Sequence, residues 1–140
     1  TGILWFGTKR GVSRFDGTRF SALEQVRERV TSIGDDEEGN LWFGTERGAV
    51  RYDGERATKY TEADGLGHDY VTSILSDREG NVWVGTLEGG VSRYNGGQFS
   101  TFRPSEELLS IREDRRGRIW FRTDDRGVVF YEDGKFSELT

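Results

Sequence analysis

The 140-residue chain contains no cysteine and no methionine, and only one proline and one histidine. Without cysteine there is no disulfide, no thiolate metal site and no cysteine nucleophile, and the redox compartment stays undetermined. No apolar run approaches the roughly 20 residues of a membrane helix and no signal peptide is visible, so this segment is not expected to insert into a membrane. A basic excess is missing as well. Lys+Arg number 20 against 25 Asp+Glu, a formal net charge of −5, and a nucleic-acid binder would need a clustered positive footprint. What the chain does have is 20 glycines with four Trp, five Tyr and nine Phe. That composition describes short strands joined by tight turns and excludes a helical bundle.

Self-similarity decides the fold. The tryptophans Trp5, Trp42, Trp83 and Trp120 head the blocks ILWFGT (3–8), NLWFGT (40–45), NVWVGT (81–86) and RIWFRT (118–123). A second block follows each: GVSRFDG (11–17), GAVRYDG (48–54), GVSRYNG (90–96) and GVVFYEDG (127–134). A third reads RFSAL, RATKY, QFSTF or KFSEL, and a fourth precedes the later tryptophans as VTSIGDDEEG (30–39), VTSILSDREG (71–80) and LLSIREDRRG (108–117). Each block is rich in β-branched and aromatic residues and bounded by Gly, Asp or Asn, which is strand chemistry. Asp-x-x-Gly and Asp-Gly or Asn-Gly between them are turn signals. Four antiparallel strands in a unit of about 40 residues make the blade of a β-propeller. The fold expected is all-β, about four four-stranded blades, with approximate limits 1–26, 27–66, 67–104 and 105–140. Thr1-Gly2 aligns with Glu38-Gly39, so the first blade is expected to lack its inner strand. The exposed edge and faces would then be covered by a second copy, giving a homo-oligomer, or by the remaining blades of a parent propeller.

The unit [VL]-x-S-I-x-x-D-x-x-G-[NR]-x-W-[FV]-G-T-x-x-x-G-V-x-R-[FY]-[DN]-G resembles the two-component regulator propeller repeat, which builds sensor regions of bacterial hybrid histidine kinases. The junction EADGLGHDYVTSI (62–74) is similar to the family's D-G-L-x-x-x-x-V-x-S-I. Arg122 departs from the Gly of W-x-G-T, Phe130 from the Arg of the third strand and Ala57 from an aromatic of the fourth. The resemblance implies a sensing or binding module, periplasmic or otherwise extracytoplasmic, without naming a ligand.

Trp5, Trp42, Trp83 and Trp120, flanked by apolar residues at fixed repeat positions, are assigned to the core between blades rather than to carbohydrate stacking. The Asp of D-x-x-G lacks calcium-loop spacing and serves the turn, so no metal is expected; no cofactor is implied either. Arg14, Arg51 and Arg93 recur identically and are expected to stack on neighbouring rings or pair with a turn carboxylate. Binding belongs where repeats differ, on the loops of one face. The candidates there are Arg10, Arg29, Arg47, His68, Asp69, Tyr70, Glu88, Asp124 and Arg126. His68 invites a general-base role, but no second His or nucleophile constellation accompanies it. The reading is a non-catalytic ligand-sensing or protein-interaction module, not an enzyme, whose partner is a small molecule, an oligosaccharide or a protein. A propeller enzyme of lyase or hydrolase type and a purely structural self-assembling propeller are the alternatives.

Overall fold

The computed structural model describes residues 2–103 and 108–139. Among them, fifteen strands form four antiparallel sheets in sequence order. The first holds β1 (Leu4–Thr8), β2 (Gly11–Phe15) and β3 (Phe20–Leu23); the second β4 (Val30–Asp35), β5 (Leu41–Thr45), β6 (Gly48–Tyr52) and β7 (Ala57–Tyr60). The third holds β8 (Val71–Ser76), β9 (Val82–Thr86), β10 (Val91–Asn95) and β11 (Gln98–Phe102), and the last β12 (Leu108–Glu113), β13 (Ile119–Thr123), β14 (Val128–Glu132) and β15 (Lys135–Glu138). The strands β4, β8 and β12 contact one another in turn, which places the first strand of each full blade innermost. The architecture is a β-propeller arc whose first blade has three strands. The limit expected at 104/105 lies outside the described residues.

Local chemistry sets each turn. In the inner hairpins Asp36, Asp77 and Asp114 each accept two backbone N–H groups on Oδ1, from the residues two and four positions on, at 2.8–3.0 Å. The outer hairpins divide. Asp16 and Asp53 open four-residue loops by accepting two amides on Oδ1. Gly96-Gly97 and Asp133-Gly134 close two-residue turns with φ positive at both positions, as a type I′ turn requires.

Packing runs blade to blade. Strand alternation sends the β5 Trp42 ring and the β9 Trp83 ring toward the following blade. Trp42 meets Tyr94 at 4.9 Å between ring centroids, and Trp83 meets Tyr131 at 5.1 Å. Both indoles are fully buried. The other two tryptophans correct the expectation of a uniform core row. Trp5 packs on Phe43 and Tyr52 but stays half-buried, because β1 has no inner strand beside it. Trp120 is half-buried because its ring faces outward from the last blade, covered by Phe130 and Arg118 of its own sheet and by no following blade among the described residues.

Candidate functional site

The loops between the second and third strands of each blade and the segments crossing between blades share one face. Glu46 N–H donates to the Arg29 carbonyl at 3.3 Å, and Leu87 N–H to the Tyr70 carbonyl at 2.9 Å, tying crossing to loop. Gly67 and Gly89 touch so closely that a Cβ on either would lie 2.1 Å from backbone of the other. The face is therefore a firm backbone platform carrying side chains that differ from blade to blade.

On that platform the candidates separate into structural and available groups. Asp69 Oδ1 accepts the Glu62 amide at 2.9 Å and steadies the short 3-10 turn Glu62–Asp64. Tyr70 serves through its backbone, donating its N–H to His68 Nδ1 at 3.1 Å while its carbonyl accepts from Leu87. His68 Nε2 stands 3.9 Å from Glu88, itself well exposed. Arg29 lies 3.8 Å from Glu46, and Arg126 binds Glu138 at 3.1 Å with Asp125 at 4.0 Å. Among the described residues, the side chains of Arg10, Arg47 and Asp124 are exposed and engage no hydrogen-bond or ion-pair partner. Arg10 borders a cleft of about 370 Å³ with Ser13, Leu23, Glu24, Val26 and Arg27.

Sequence reasoning missed a second cleft, of about 320 Å³, on the opposite face between the third and fourth blades. Asp77, Arg93, Glu113, Arg116, Tyr131 and Glu132 border it. The identical repetition of Arg14, Arg51 and Arg93 hid it, since only Arg93 is caged: its guanidinium carbon lies within 5.8 Å of the Trp83, Phe102 and Tyr131 rings. Arg14 and Arg51 stack singly, on Trp5 and Tyr94. At the junction of the second and third blades, burial and a hydroxyl contact with Tyr94 push the Tyr60 phenol up to about 12. Among the described residues no group of three or more His, Cys, Asp or Glu could hold a metal ion.

Fold and platform define a β-propeller with a variable loop face, and comparison with known proteins agrees. Residues 26–47 and 65–88 match the model of the two-component regulator propeller family. It superimposes on the extracellular domain of a hybrid two-component system from B. thetaiotaomicron with a TM-score of 0.82 at 24% identity, covering 99% of this chain and 22% of that one. The extracellular domain of a one-component system from the same organism gives a TM-score of 0.82 at 23% identity over 98% of this chain and 20% of that one. Virginiamycin B lyase from Staphylococcus aureus gives 0.77 at 17% identity over 98% of this chain and 51% of the lyase. The chain thus spans about a fifth of the regulator domains it matches, and at these identities the likeness is one of fold. It matches no curated protein sequence. No helix among the described residues is long and apolar enough to cross a membrane.

Proposed function

We propose that the chain is a non-catalytic recognition module, a sensing or protein-interaction propeller acting outside the cytoplasm. Its loop face engages a polar small molecule, an oligosaccharide or a protein segment. One observation carries this reading: core positions recur from blade to blade while one loop position holds Lys9, Glu46, Leu87 and Asp124 in succession. Variable side chains on a rigid platform are how repeat scaffolds build recognition surfaces. The unengaged Arg10 and Arg47 supply charge to such a surface without an internal partner to displace. Its repeat family and the extracellular regulator domains of like fold support the same placement. Catalysis would need acids and bases converging on one point. The chain's one histidine instead accepts the Tyr70 amide on Nδ1.

A thermal-shift screen with neutral oligosaccharides, acidic oligosaccharides and a peptide library tests the proposal. At least one class should raise the melting temperature, and an Arg10→Ala/Arg47→Ala double variant should lose that shift while melting normally alone. Indifference to all three classes by a folded protein would remove the reading. A turnover activity abolished by His68→Ala, with stability unchanged, would favour an enzyme instead.

A further inference from the structure

The cleft between the third and fourth blades follows an exchange in the aromatic row. At the junction before it, Trp42, Tyr60 and Tyr94 pack directly on one another, 4.9–5.7 Å between ring centroids, and the Tyr60 and Tyr94 hydroxyls meet at 3.4 Å. Phe102 holds the strand position of Tyr60, and its ring lies 6.1 Å from both Trp83 and Tyr131. Tyr131 Oη, with no second phenol opposite it, accepts Arg93 Nη1 at 3.0 Å, and the guanidinium lies among the three rings.

Arg93 is thus a half-buried cation with nothing to balance it. Among the described residues no carboxylate pairs with it, and its Nε is buried without a partner. Two acids that border the same cleft are engaged elsewhere. Asp77 holds its own turn and the Trp83 indole, while Glu113, only 12% exposed at its side chain, accepts the Arg78 amide at 3.2 and 3.3 Å. A charge drawn partly out of water without a counter-charge is costly. A ligand that brings a carboxylate to Arg93 removes that cost.

The rim departs from the repeat where the floor keeps it. Glu113 ends its inner strand where Asp35 and Ser76 end theirs, Arg116 stands at the position of Glu38 and Glu79, and Glu132 at that of Asp53 and Asn95. Arg116 lies 3.6 Å from Glu132. The side chains of Glu79 and Asp133 are exposed and engage no hydrogen-bond or ion-pair partner among the described residues. Five carboxylates and two guanidiniums therefore border a space of about 320 Å³. A simple anion would be drawn to Arg93 and repelled by the rim; a simple cation would be drawn to the rim and set against Arg93. A neutral ligand answers neither charge. The volume stands at the lower end of small-molecule sites, roughly 300–1,000 Å³.

We propose that this cleft is a second recognition site, on the face opposite the loop platform, and that its ligand is a free α-amino acid. The ligand's carboxylate meets the Nη hydrogens of Arg93 that Tyr131 leaves open, its ammonium meets Glu79 and Asp133, and its side chain lies along Tyr131. Both charges on one short carbon frame match both charges of the cleft in so small a volume. The site draws nothing from Arg10 or Arg47, so it stands independently of any ligand of the loop face.

Calorimetric titration of the 140-residue chain with the common free amino acids, beside acetate and ethylamine, tests this. At least one amino acid should bind, about tenfold or more tighter than acetate or ethylamine. Arg93→Met, which keeps the stem, and the exposed pair Glu79→Gln/Asp133→Asn should each weaken that binding about tenfold or more in variants that still unfold cooperatively. Arg10→Ala/Arg47→Ala should leave it unchanged. In a nuclear magnetic resonance titration the Trp83 indole N–H signal should move and that of Trp5 should not. Failure of every amino acid to bind the folded chain would overturn the proposal. Equal affinity for acetate or ethylamine would also overturn it, making the cleft a plain charge site. Binding that survives both cleft variants, or that is lost in the loop-face double variant, would overturn it by placing the ligand elsewhere.

Discussion

Trp83 Nε1 donates a 2.7 Å hydrogen bond to Asp77 Oδ2, six residues upstream, at a site nearly closed to water. The same carboxylate holds the hairpin through Oδ1 and binds the Asn81 side chain through Oδ2. One acidic group therefore fixes a turn and the orientation of the ring that fills the next junction. Trp42 with Asp36 and Trp120 with Asp114 repeat the arrangement at 2.9 and 2.7 Å.

Asp77→Ala should cost about 3 kcal/mol, because it strands a buried indole N–H and two turn amides. Asp114→Ala should cost clearly less, since water can reach the half-buried Trp120. Urea unfolding of the two variants measures the difference, and equal costs would show that burial does not set the strength of the clasp.

Trp42→Ala should destabilise by about 3–5 kcal/mol as a large-to-small core change. Trp120→Ala should cost less than half as much, since Phe130 and Arg118 of its own sheet cover that ring only in part. A comparable loss at both sites, read by urea unfolding, would mean that the Trp120 ring is as well packed as that of Trp42.

Acid should weaken the last blade most. Hydrogen bonds from the Trp120 indole, the Arg118 guanidinium and the Arg118 and Arg116 amides together hold the Asp114 carboxyl well below the usual carboxylate range. Unfolded, the group takes up its proton near 3.8; folded, it stays ionised lower. The unfolded state then binds the extra proton, so this contribution is intact above about pH 4 and fades as pH falls further. Asp114→Asn should flatten the acid limb of a melting-temperature profile. Tyr60 acts at the other end: raised from 10.0 to about 12, it contributes stability below pH 10 that fades between those values, and Tyr60→Phe should remove that loss.

Arg93 should tolerate loss of its charge better than loss of its stem. Its Nη1 reaches Tyr131 Oη at 3.0 Å, but its buried Nε has no partner. Arg93→Met keeps the aliphatic packing and removes the orphaned donor, so it should cost under about 1 kcal/mol, against about 2 for Arg93→Ala. The reverse order in chemical denaturation would assign the stability to the guanidinium stacking instead.

Strand blocks and turns were legible because the repeat fixes them four times over. Asp-x-x-Gly and the strand alternation located the hairpins, and the alignment of Thr1-Gly2 with Glu38-Gly39 anticipated the three-stranded first blade. Periodicity says which positions match, not whether a neighbour covers them, so Trp5 and Trp120 read as core although each lies half-buried. Asp69 illustrates the converse: an acidic loop residue reads as available until its bond to the Glu62 amide is visible. The Arg93 cleft escaped notice because three arginines with one motif acquire different surroundings only through the ring that faces each.

Among the described residues, the main contacts that join sheets run between sequential neighbours: β1 to β4, β4 and β5 to β8, and β8 and β9 to β12. Such a molecule is thermodynamically a short one-dimensional chain, whose ends have one supporting neighbour and whose middle has two. Amide hydrogens of β5 and β9 should therefore exchange slowest, while those of β1 to β3 exchange through frequent fraying that leaves the rest intact. Closing the chain into a ring would abolish that gradient, and uniform protection along the sequence would be its signature.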